Sequence, residues 1–204
     1  IAIPTTAGSG AESTSGAVLY INNIKYSIDN KILIPDKYFF APEFCLKCPF
    51  EVRASSGIDA ICQSIESIIA KKSNYKSLYF AKKALKILFK NYSHHVLLPN
   101  TNNAKQMCIG ANFSGKAINI SKTTAPHALS YPLTTKFDIS HGKAVSTTMT
   151  KFLLFNFKNK SKNDAKFDLS QRFKLLFKLA GKKNINEFII FFEKLRKIGK
   201  LKHS

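Results

Sequence analysis

Two of the chain's five histidines, His127 and His141, stand fourteen positions apart in the stretch from Lys122 to Lys143. Each lies among small or apolar residues, where an imidazole is out of place unless it is used. Imidazole suits iron, zinc, copper and nickel, so the pair could supply half of a catalytic metal site. That requires each histidine to begin a helix and the loop between them to fold back. A histidine beside proline or glycine also serves as a turn or core residue, so the pair alone leaves both readings open. The segment from Ser55 to Glu66 adds the other half. Asp59 and Gln63 are four apart in a helical apolar pattern (Ile58, Ile61, Cys62, Ile65, Ile68, Ile69), which stacks both side chains on one face. An aspartate in so apolar a helix is costly without a cation. Asp59, Gln63, His127 and His141 together offer two oxygens and two nitrogens to one divalent ion, with room for a substrate oxygen. One anion among four donors leaves such a site net positive. With two oxygens and only two nitrogens as donors, Fe²⁺ or Mn²⁺ should compete well with Zn²⁺. Both histidines must be neutral to bind, so uptake should weaken as the pH falls through about 6.5.

Helices must position these groups. The periodicity predicts one starting near Ser56, which would cap it, and a second over residues 74–91. His94 and His95 then fall in a loop before Pro99. A third helix covers residues 104–119, and the His141 segment continues to residue 157. After a polar break, residues 173–179 and 188–198 carry aromatic stripes that read as core. Ahead of the helices, residues 1–3 read as a strand end delivering the loop Thr5 to Gly10. Thr5, Thr6 and Ser9 offer hydroxyls there, and Gly8 and Gly10 allow close backbone approach. The loop reads either as a phosphate or ribose cradle or as a plain turn. Residues 17–21 and 24–28 form a hairpin around Asn22 and Asn23, and residues 31–41 one more strand closed by Pro42. The expected fold class is α/β plus all-α: an α/β part over residues 1–50, then a helical domain over 51–204.

Pro4-Thr-Thr-Ala-Gly-Ser-Gly-Ala-Glu12, then Gly57-Ile-Asp-Ala with a further donor four residues past the aspartate, then two histidines before Gly142, form an ordered set. Over roughly residues 1–157 this set resembles the iron-containing (type III) alcohol dehydrogenases. Gln63, where many members carry histidine, and the phrases at 17–21, 24–28 and 122–134 are most similar to the phosphonoacetaldehyde reductase branch. The resemblance implies a dehydroquinate synthase-like fold, in which a dinucleotide-binding α/β domain precedes a helical metal-binding domain. It also implies a nucleotide-binding segment before Ile1, so the chain is expected to be part of a longer protein whose last helices stop early. The implied activity is NAD(P)H-linked interconversion of an aldehyde and a primary alcohol, with phosphonoacetaldehyde and 2-hydroxyethylphosphonate as one such couple. Asp59, His127 and His141 would be catalytic and, with Gln63, would hold Fe²⁺, or Mn²⁺ or Zn²⁺. Thr5, Thr6, Gly8, Ser9 and Lys25 would contact the dinucleotide, and Lys122, Thr123 and Thr124 an anionic substrate. A homodimer is expected of the full-length protein. Tyr131, Lys143, Asp138, Ser140 and Ala41 depart from the family's usual residues, and Tyr131 replaces a histidine of its proton relay.

The formal charge of +20 would ordinarily point to nucleic acid or an anionic surface. Only three of the 32 basic residues are arginine (Arg53, Arg172, Arg196), whereas base readout favours arginine's fork. No nucleic-acid partner is expected. The competing class is a non-catalytic family member, or a basic helical module that binds a polyanion or protein partner through its lysine-rich tail. Heparin binding lost at moderate salt, with no metal bound, would favour it. Cys45 and Cys48 form one C-x-x-C without a second pair, and Cys62 and Cys108 sit in apolar helical patterns. This usage, no bilayer-length apolar run and no basic leader lead to the expectation of a reduced, cytoplasmic protein without a membrane segment.

Overall fold

The computed structural model describes residues 1–22, 24–162 and 164–201. The chain opens with little sheet. Ala2 makes a single parallel bridge to Tyr38. Strands β1 (Gly16–Ile21) and β2 (Ile24–Asp29) pair antiparallel, Gly16 opposite Asp29 and Ile21 opposite Ile24. Asn22 takes φ 50° at their turn, a left-handed position that asparagine tolerates. The strand expected over 31–41 does not form. The Asn30 side chain accepts the Ile32 N–H (3.0 Å) and winds Lys31–Leu33 into a 3₁₀ turn instead. Pro42 starts α1 (Pro42–Lys47) rather than ending a strand, because its fixed φ suits a helix's first turn.

Seven longer helices follow: α2 (Phe50–Ile69), α3 (Tyr75–Leu97), α4 (Thr101–Ser121), α5 (Ala125–Phe137), α6 (His141–Lys158), α7 (Leu169–Leu179) and α8 (Ile185–Ile198). Helix α2 is the axis of the fold, packed against α3, α4 and α6. Ile58, Ile61, Ile65 and Ile68 are wholly buried on it, each contributing about 1.5–3 kcal/mol of transfer free energy. It begins before Ser56, at Pro49, so the serine is no cap. Its hydroxyl donates back to the Val52 carbonyl at 2.7 Å. Capping boxes start α3 (Asn74 with Ser77) and α4 (Asn100 with Asn103).

His94 and His95 lie in the last turn of α3, not in a loop. Arg53 of α2 sustains that turn, donating from Nε to the His95 carbonyl (3.0 Å) and from Nη2 to that of Val96 (3.1 Å). Burial lowers the His95 pKa to about 4, with nearby Arg53 adding to the effect against a hydrogen bond to Asn103. The stripes on α7 and α8 are core: Phe173 and Phe188 are buried and meet Phe157, Phe177 and Phe191 as tilted or edge-on pairs. All four cysteines are free thiols. No helix among the described residues is long and apolar enough to cross a membrane.

Candidate functional site

One face of α2 carries Asp59, Gln63 and Glu66, spaced four and three apart, so they stack within two turns. All three are buried, Glu66 completely. Two helix starts face them. His127 is the third residue of α5, behind Pro126 in its first turn, and His141 is the first residue of α6. Gly142 brings the second of these starts close. A β-carbon there would lie 1.9 Å from the Ser55 carbonyl oxygen, and its N–H donates to Ser55 Oγ at 3.2 Å. Only a glycine lets α6 touch α2 one turn before Asp59, which sets His141 beside the carboxylate.

The result is a tight cluster. His127 Nε2 lies 3.2 Å from Asp59 Oδ1, and His141 Nε2 lies 3.7 Å from the same oxygen. One donor atom from each residue falls within 4.8 Å of the other two. Nitrogen and oxygen atoms bound to zinc sit about 2.0–2.2 Å from it, so donors grouped this closely fit one cation. Two imidazoles and a carboxylate suit first-row divalent ions. Burial by itself would push His127 down. The carboxylates of Glu66 and Asp59 outweigh it and hold the pKa raised to about 10.

Gln63 adjoins the cluster with its amide turned the other way. Its Nε2 donates to Asp59 Oδ2 at 3.0 Å, and its Oε1 accepts from Ser114 Oγ at 3.0 Å. With only a carboxylate to face, the amide presents its N–H. A half-turn would offer the oxygen to a cation and leave Ser114, which also bonds the Ala60 carbonyl at 2.9 Å, to accept from the nitrogen. The Tyr131 ring stacks on that of His141, centroids 6.3 Å apart and planes 7° from parallel.

Two cavities open onto the cluster. The larger, about 600 Å³, reaches from His127, His141 and Gln63 to the hairpin and Lys122. The smaller, about 310 Å³, joins Asp59 and His141 to Thr6, Gly8 and Ser9. Gly8 is pressed onto α2, where a β-carbon would meet Ser56 Cβ at 2.8 Å. Thr5 is not among the lining residues, and its carbonyl accepts from Cys48 Sγ at 3.4 Å. Lys25 lies in β2 opposite Tyr20, with its side chain outside the described residues. Lys122 lines the larger cavity with Thr123, and its Nζ pairs with the Asp29 carboxylate. Thr124 is not available to a ligand, because its N–H and hydroxyl both donate to Glu66.

The family model for the C-terminal part of the Fe-containing alcohol dehydrogenase family matches residues 53–197. The chain belongs to the Fe-containing alcohol dehydrogenase family. This family member is 30% identical over 160 residues to phosphonoacetaldehyde reductase of Streptomyces viridochromogenes, covering 76% of the chain and 40% of that protein. To 1-propanol dehydrogenase of Salmonella typhimurium it is 28% identical over 159 residues, covering 76% and 43%. Among solved structures, sulfoacetaldehyde reductase from Bifidobacterium kashiwanohense in complex with NAD⁺ superposes with a TM-score of 0.87 at 28% identity, covering 98% of the chain and 52% of the other. The 1,3-propanediol oxidoreductase structure, at 21% identity and a TM-score of 0.88, shares the fold. The chain thus spans about two fifths of those two curated relatives and half of the solved ones.

Within this family member, Glu66 is the contact that pattern reading passed over. Its Oε2 meets His127 Nδ1, and its Oε1 accepts the Thr124 N–H (2.8 Å) and hydroxyl (2.7 Å). The available signal was its place seven residues after Asp59, two turns along the same face.

Proposed function

We propose that the chain is the metal-binding part of an NAD(P)-linked oxidoreductase that interconverts an aldehyde and a primary alcohol. The observation that carries this reading is the convergence of Asp59, His127 and His141 within 4.8 Å at the junction of two cavities. Asp59, His127 and His141, with Gln63 after its amide turns, would hold Fe²⁺, or Mn²⁺ or Zn²⁺. A divalent ion on these donors supplies Lewis acidity towards a carbonyl oxygen, and the nicotinamide supplies hydride. Thr6, Gly8 and Ser9, flanked by Thr5 and Lys25, would hold the dinucleotide along the smaller cavity. Residues 1–50 would belong to the nucleotide-binding α/β domain and residues 51–204 to the metal-binding domain.

The substrate would be a short aldehyde ending in a tetrahedral oxyanion, phosphonoacetaldehyde being the example. Support comes from the phosphonoacetaldehyde and sulfoacetaldehyde named for two relatives, and from Lys122 and Thr123 on the larger cavity. An anionic group would replace Asp29 at the Lys122 ammonium. The test is a thermal-shift titration of the metal-loaded chain with 2-hydroxyethylphosphonate and 1-propanol, beside an assay of NADH and NADPH oxidation with both aldehydes. The phosphonate should bind at least about tenfold more tightly, since a charge-assisted contact is worth about 1.5–3 kcal/mol, and Lys122→Met should remove that advantage. Equal binding of the two alcohols would overturn the substrate class. Absence of aldehyde-dependent oxidation once a complete nucleotide-binding domain is present would overturn the activity.

A further inference from the structure

The carboxylate of Glu66 is given no part in the reading above, yet it is wholly buried and forms no salt bridge to lysine or arginine among the described residues. A buried carboxylate costs several kcal/mol unless its charge is met. Here three donors meet it: His127 Nδ1 on one oxygen, and the N–H and hydroxyl of Thr124 on the other. Thr124 is the N-cap of α5, and its side chain makes no cap bond within its own helix. Glu66 therefore brings to that helix start, from α2, the negative charge that a helix N-terminus favours. The same carboxylate fixes where α5 begins and how the third residue of α5 turns its ring.

We propose that Glu66 is the positioning residue of the metal site. It accepts the Nδ1 proton of His127, holding the tautomer whose Nε2 lone pair points towards Asp59 and His141. It also sets the charge balance. With both histidines neutral, Asp59 and Glu66 carry two negative charges, which a divalent ion cancels, so the site is neutral rather than net positive. Acceptance of a ligand histidine's second N–H by a carboxylate also strengthens that histidine as a donor. The inference rests on the metal reading proposed above.

The test is a Co²⁺ titration of the full chain, read by visible absorption, which reports donor geometry, with thermal unfolding of each metal-free protein alongside. Wild type should bind one Co²⁺ and Asp59→Ala none. Glu66→Ala should bind about 10–100-fold more weakly, with an altered spectrum. Glu66→Gln keeps an oxygen that can accept from His127 and should recover part of that loss. If Glu66→Ala matches wild type within twofold and keeps its spectrum, the positioning role fails while the metal site stands. If wild type and Asp59→Ala are equally unable to bind, the metal reading fails first, and the inference with it. Should Glu66→Ala not fold, Glu66→Gln decides: unchanged affinity and spectrum overturn the role, and a weakened, shifted site at native-like stability supports it.

Discussion

In the metal-free chain His127 carries the positive charge that an ion would otherwise bring, with its ring nitrogens against Glu66 and Asp59. Its pKa is raised from 6.5 to about 10, so its pairing stabilises the fold fully below pH 6.5 and is lost as the pH climbs through about 10. An ion on Nε2 must displace that proton. Metal affinity should therefore keep rising about tenfold per pH unit above 6.5, with about one proton released per ion, rather than level off where free imidazole is neutral. Competition titrations at pH 6.5, 7.5 and 8.5 would measure this, and a flat affinity above pH 6.5 would show that His127 is already neutral. The sequence pattern supplied the ordinary imidazole value. It could not supply the shift, which comes from the carboxylates of Glu66 and Asp59 on another helix.

Helix starts do most of the positioning, and they were the least legible elements. The apolar periods of α2, α3, α4, α7 and α8 were readable because each buries a regular face. The beginning of α2 was not, since Pro49 starts it without a polar cap and Ser56 mimics one further on. The end of α3 depends on Arg53 from another helix, so His95 looked like a loop residue. Residues 31–41 lost their strand to an asparagine that bonds its own backbone. Asp59, His127 and His141 were nonetheless legible, because polar side chains at apolar positions stand out. Gly142 gives the element scale its sharpest test. Gly142→Ala would drive a methyl into the Ser55 carbonyl, with no flexible side chain to yield. The variant should lose about 1–3 kcal/mol of stability, as overpacked sites do, and most of its metal affinity through the displaced His141. Denaturant unfolding together with metal titration would detect both, and unchanged metal affinity would mean that His141 needs no contact between α6 and α2.

At the scale of the whole molecule, helices α2, α4, α5 and α6 supply the residues at the cluster, while the aromatic pairs of α7 and α8 belong to the apolar core. The excess of lysine lies outside this arrangement: the cluster's immediate charges are two carboxylates and two imidazoles, with Lys122 bound to Asp29 at the cavity's other end. Family membership and the fold fit a metal-dependent oxidoreductase, and everything in that account rests on one ion at one place. The direct measurement is elemental analysis of the chain after dialysis against Fe²⁺, Mn²⁺ and Zn²⁺ in turn, with Asp59→Ala, His127→Ala and Gln63→Ala in parallel. The account predicts one ion per chain in wild type, almost none in Asp59→Ala or His127→Ala, and partial retention in Gln63→Ala, whose amide is the weakest donor. A wild type that holds no ion, or variants that all hold as much as wild type, would contradict it.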